Sequence, residues 1–138
     1  VPNWKVPAVV EGFDAIIVGE ESCVGERGSR GTVDDSSADV NGLIDALVER
    51  YLEIDCAVFT PNTERLEHIK KMAKEYKADG VVLYGLNFCS PYLIEALDVE
   101  QELEKAGIPA IRIETDYSRE DTGQIKTRIA AFIERLSD

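Results

Sequence analysis

His68 is the only histidine in 138 residues, and it sits in a charged stretch, EHIKK. Read from sequence it is an exposed helix residue, and one histidine leaves no support for triad chemistry or a His-rich zinc site. Basic residues are also scarce, 15 against 27 acidic, for a formal net charge of −12. No basic face emerges, so DNA and RNA are excluded as expected partners. No apolar run approaches the roughly 20 residues that cross a bilayer, and no signal peptide is visible, so no membrane association is expected. Neither GxGxxG nor GxxxxGK[ST] occurs, which removes the two familiar nucleotide fingerprints. The sequence starts at Val1 and its one methionine is Met72, so the expectation is a C-terminal piece of a longer subunit. Three cysteines, Cys23, Cys56 and Cys89, form an odd set in a chain too large to need disulfide staples. They read as free or metal-binding thiols in a reducing, cytoplasmic setting.

What is present is a regular alternation of short β-rich runs and amphipathic helices. Val6–Glu11 makes one or two helical turns, with Pro7 in a position that suits the start of a helix. DAIIVG (Asp14–Gly19) is a β-branched run of the kind buried on both faces of a sheet. A long loop, Glu20 to about Ser36, holds Gly25, Gly28 and Gly31. Val40, Leu43, Ile44, Leu47, Val48 and Tyr51 then form one apolar helical stripe, with Ser36 or Ser37 as its cap. CAVF (Cys56–Phe59) reads as a second strand, followed by a helix capped by Asn62 or Thr63 that presents Leu66, Ile69, Ala73 and Tyr76. GVVLYGL (Gly80–Leu86) is a third strand. Pro91 opens a helix closed by Gly107, IPAIRIE (Ile108–Glu114) is the fourth strand, and Ile125, Ile129, Phe132, Ile133 and Leu136 mark the last helix.

Strands separated by helices imply parallel pairing through right-handed crossovers. The expected fold is a single α/β domain over residues 1–138. It is a three-layer, Rossmann-like or flavodoxin-like arrangement: a four-stranded parallel sheet in the order second, first, third, fourth, with helices on both faces. Ligands of such sheets lie beyond the carboxyl ends of the strands. The loops Glu20–Ser36, Gly85–Pro91 and Thr115–Gly123 meet at that edge. In the first, GERGSRG brings Arg27 and Arg30 together with bare backbone amides. It is either a phosphate cradle or a solvated loop. Glu114, Asp116 and Asp121 crowd the end of the fourth strand, either to position a substrate or to cap the last helix. Cys89 follows a strand and precedes a helix N-terminus, where the dipole favours negative charge and so suits a metal-binding thiolate. By spacing alone it is a reactive thiol, a buried thiol or a metal ligand. Cys23 shares that edge, whereas Cys56 opens a strand at the other and reads as structural.

ADGVVLYGLNFCSPYLIE (Ala78–Glu95) followed by GIPAIRIETDYSREDTGQIKTRIAAFIERL (Gly107–Leu136) resembles the C-terminal part of the D-component of 2-hydroxyglutaryl-CoA dehydratase and its relatives. GEESCVGERG (Gly19–Gly28) and CAVFTPNTERLEHI (Cys56–Ile69) are similar to that family too. The resemblance implies a subunit of a two-subunit enzyme with a 4Fe–4S cluster, in which the cysteine matching Cys89 is a ligand and other ligands come from preceding domains. Cys23 is the second candidate ligand here. It implies an acyl-CoA substrate, a second dehydratase subunit and an ATP-hydrolysing iron–sulfur activator protein. The activator supplies one low-potential electron, and the thioester becomes a ketyl radical anion that expels its leaving group. Arg27 and Arg30 are the expected contacts to the coenzyme A phosphates. Benzoyl-CoA reductases and double-cubane reductases of the same family remain alternatives, as does a non-catalytic binding module. Alone, the 138 residues are expected to fold without an intact cluster.

Overall fold

The structure, a computed structural model, describes residues 4–22 and 25–137. Five α-helices appear among them: α1 (Lys5–Val10), α2 (Val40–Leu52), α3 (Thr63–Glu75), α4 (Ser90–Lys105) and α5 (Thr122–Ser137). Short 3-10 turns follow at Glu11–Phe13 and Glu26–Ser29. Strands β1 (Val81–Leu86) and β2 (Ala110–Thr115) pair in parallel, in a register running from Val81↔Ala110 to Leu86↔Thr115.

Side chains alternate across a strand, and that alternation builds the layers. On one face Val82, Tyr84, Ile111 and Ile113 meet Val6 and Val9 of α1 and Ile125 and Ile129 of α5. On the other, Val81, Leu83 and Ala110 meet Ile69 of α3 and Val99 and Leu103 of α4. Helices therefore cover both faces, as the sequence implies, and the stripe of α5 lands where expected.

The four-stranded sheet does not. Among the described residues the sheet has two strands. Asp14–Gly19 is irregular and Ile16 is 80% exposed; Cys56–Phe59 lies in turns. β-branched composition favours a strand only where a neighbour completes its ladder and packs its faces, and neither run has one here. The stripe of α2 has no buried residue, since no added strand lies beneath it. Its cap is Asp39, not Ser36 or Ser37: the carboxylate Oδ1 accepts from Asn41 N at 2.9 Å and Gly42 N at 3.0 Å.

Two helices end alike. After α4, Gly107 (φ +74°) donates to Glu104 O at 2.9 Å, and Ile108 donates to Leu103 O at 2.9 Å. After α3, Lys77 (φ +52°) donates to Lys74 O at 3.3 Å, and Ala78 donates to Ala73 O at 2.8 Å. Both are Schellman closures, in which a left-handed residue turns the chain back over the last carbonyls. The glycine stop at Gly107 is legible in sequence. The lysine stop is not, because a side chain disfavours that conformation. None of the described helices is long and apolar enough to cross a membrane.

Candidate functional site

The carboxyl ends of β1 and β2 are tied together by Asn87 N–H donating to Thr115 O at 2.7 Å. The chain then turns through Phe88, which has φ +71° and is 97% exposed, to Cys89. Cys89 is half-buried and is the N-cap of α4; its carbonyl accepts Leu93 N at 3.1 Å while its thiol caps no backbone N–H. A free thiol thus stands at the positive end of a 16-residue helix, as its place in the sequence predicts. Cys56, also free, lies in the turn before α3 rather than at a strand start; its N–H donates to Ile54 O and its carbonyl accepts Phe59 N, both at 2.9 Å. Cys23 lies outside the described residues. Among those described, no three His, Cys, Asp or Glu side chains gather as a metal-binding group.

The acidic loop after β2 serves to fasten. Thr115 Oγ1 donates to Asp121 Oδ2 at 2.5 Å, and Lys5 Nζ donates to Asp121 Oδ1 at 2.6 Å and to Ser118 O at 2.8 Å. The hydrogen bond from Lys5, with that from Thr115, holds the Asp121 carboxyl below the usual range. The clasp joins α1 to the β2–α5 loop. Glu114 instead lines a cavity of about 40 Å³ with Arg65, Tyr92 and Arg112, which has room for water and not for a thioester.

Arg27 and Arg30 sit in an ion network that sequence reading did not find. Arg27, 8% exposed, donates through Nε to Glu21 Oε1 at 2.6 Å and through Nη1 to Tyr92 Oη at 2.7 Å. Burial alone would lower its pKa, but the bonds to Tyr92 and Glu21 outweigh that and hold the charge more firmly. Arg65 Nε donates to Glu21 Oε2 at 3.0 Å and its Nη1 to Glu95, and its guanidinium lies 4.9 Å from the Tyr92 ring centroid. Arg30 Nη1 donates to Asp55 Oδ2 at 2.6 Å. Glu21 is thereby the hub between the glycine-rich loop and α3, and Tyr92 and Glu95 bring in α4, three residues after Cys89. An exposed-looking sequence such as TERLEH hides this, because Arg65 finds its carboxylate 44 positions away.

His68 is half-buried rather than exposed, and its Nε2 is enclosed without a hydrogen-bond partner among the described residues. Burial first, then the Arg30 charge, pushes its pKa below the ordinary 6.5. The unfolded chain therefore takes up the proton first as pH falls, and stability drops below about pH 6.5 until the folded form titrates too. With one histidine in the chain and carboxylates titrating lower, the expected melting temperature falls between pH 6.5 and 5. His68→Gln should flatten that interval. Melting curves with equal slopes for both proteins would refute the assignment.

Comparison with known proteins bears on this site. A family model described as "2-hydroxyglutaryl-CoA dehydratase, D-component" matches residues 1–136. A protein of Escherichia coli strain K12 named as a candidate dehydratase subunit, YjiM, is 40% identical over 133 residues, 96% of this chain and 34% of its own length. The (R)-phenyllactyl-CoA dehydratase beta subunit of Clostridium sporogenes is 35% identical over 99 residues, 71% of the chain and 26% of that protein. The (R)-2-hydroxyglutaryl-CoA dehydratase subunit beta of Acidaminococcus fermentans is 26% identical over 140 residues, 96% of the chain and 36% of that protein. The chain spans about a third of the length of these relatives. It belongs to the 2-hydroxyglutaryl-CoA dehydratase D-component family.

Proposed function

We propose that this chain is part of a 2-hydroxyacyl-CoA dehydratase-type subunit, in which Cys89 supplies one thiolate to a 4Fe–4S cluster and the surrounding edge forms part of an acyl-CoA pocket. The observation that carries this reading is the free Cys89 thiol at the N-terminus of α4, in a chain of this family. One sulfur suits a shared ligand set, since a cluster takes about four. Cys23 is the second proposed ligand, and the others come from elsewhere in the subunit. The bound cluster would supply low-potential electron transfer to the thioester. This chain's own contribution is to hold one ligand at a fixed helix end, through the loop that Asn87 pins to Thr115.

A second dehydratase subunit and an ATP-dependent activator protein are the proposed partners, in a cytoplasmic setting. The subunit names of the relatives support the first partner, and their dehydratase names favour dehydration over ring reduction. A phosphate contact by the glycine-rich loop falls first to Arg30, 22% exposed, because Arg27 reaches a phosphate only by giving up Glu21 or Tyr92. Cys89→Ser in the complete subunit is expected to lower bound iron to less than half and to abolish dehydration, with Cys56→Ser close to the parent. Unchanged iron and turnover in Cys89→Ser would favour a non-catalytic α/β module.

A further inference from the structure

At the opposite edge of the sheet, the matched closures of α3 and α4 flank an open groove of about 450 Å³. That volume lies within the range of small-molecule sites. Its walls carry Lys70, Lys74 and Lys77 and no acidic residue, in a chain of net charge −12; Ala73, Ala106 and Ile108 give it apolar surface. Lys70 and Lys74 stand about one turn apart on α3, and Lys77 follows in the left-handed turn that closes it. Lys70 is shared with Glu67 at 3.1 Å and Glu102 at 3.7 Å, whereas Lys74 and Lys77 have no ion-pair partner among the described residues. Lysine is favoured at a helix C-terminus, and two C-termini meet here. Each brings only about half a negative charge, so two unpaired ammonium groups leave a surplus of about one positive charge.

The second observation is Lys77 itself. The corresponding position after α4 is Gly107, the residue that this left-handed turn favours. After α3 the same turn carries a lysine, against its backbone preference, and that lysine lines the groove. We propose that the groove binds a phosphate ester of the nucleotide type, with its phosphates on Lys74 and Lys77, assisted by Lys70, and its base against Ala73, Ala106 and Ile108. The site is distinct from the Cys89 edge and does not depend on the cluster.

Photolabelling of the intact protein with an azido derivative of ADP, followed by peptide mapping, tests this directly. Label is expected on peptides carrying Lys70–Ala78 or Ala106–Ile108, with ADP competing better than inorganic pyrophosphate. Lys77→Gly is the discriminating variant. It removes an ammonium and relieves the backbone, so labelling at low salt should fall about tenfold while the melting temperature holds or rises. Lys74→Ala should weaken labelling in the same way without the gain in stability. Competition by coenzyme A equal to that of ADP identifies the ligand as the nucleotide end of a coenzyme; competition by ADP alone identifies a free nucleotide, and either upholds the groove. Label confined to other peptides, or undiminished in both variants, overturns it.

Discussion

Replacing Arg65 by alanine is expected to lower the unfolding free energy by about 3 kcal/mol, the lower end for breaking a buried ion pair. Arg65 is buried, bridges Glu21 and Glu95, and stacks on Tyr92. Its removal leaves Glu95 without the guanidinium that faces it, while Glu21 keeps Arg27, which places the cost at the lower end. Urea unfolding of parent and variant measures it directly. A loss below about 1 kcal/mol, typical of solvent-exposed pairs, would mean that the network is a surface feature. The paired change Arg65→Met with Glu95→Leu should recover most of the loss, because apolar replacement of a whole buried pair is often neutral or favourable.

Leu103→Ala should cost about 2–5 kcal/mol, the range for truncating a large side chain in a close-packed core. Leu103 is 0% exposed, packs with Ile69, Val99 and Ala110, and sits where α4 closes over Ile108. The Leu103 carbonyl would still accept Ile108 N–H, so the loss reports packing and not the cap. Phe88→Ala is the matching control, since that ring is almost wholly in solvent. Thermal melts should show a large fall for the first and none for the second. Equal shifts would mean that Leu103 is no more tightly packed than Phe88.

The periodicity of α3, α4 and α5, the β1 and β2 runs, Pro91 and Gly107 were all legible in the sequence, because each rests on local chemistry. The two missing strands were not. DAIIVG and CAVF carry strand composition, but composition does not reveal whether a neighbouring strand is there to pair with. α2 shows the same limit: its stripe is helical as read, yet periodicity says which side is apolar and not whether anything covers it. Cys89 was found because strand, turn and helix start are consecutive. Glu21, Arg65, Tyr92 and Glu95 were missed because their pairing joins a loop to two helices far along the chain. His68 was misjudged for the same reason, as neighbouring charges in sequence do not reveal its burial or the Arg30 charge that acts on it.

The clasp between Lys5 and Asp121 has a consequence in polymer terms. It closes a loop of 116 positions, whereas pairing β1 with β2 from Val81 to Ala110 closes one of 110 − 81 = 29. The ratio is fourfold, or two doublings, and each doubling costs only about 0.6 kcal/mol of closure entropy. Burying one valine of α1 contributes about 1.5 kcal/mol or more, so Val6 and Val9 together outweigh the added cost. Chain length between the anchored elements is therefore a weak variable in this fold. A segment such as Glu20–Ser36 can lengthen or shorten with little thermodynamic consequence, provided that Glu21, Arg27 and Arg30 still reach their partners.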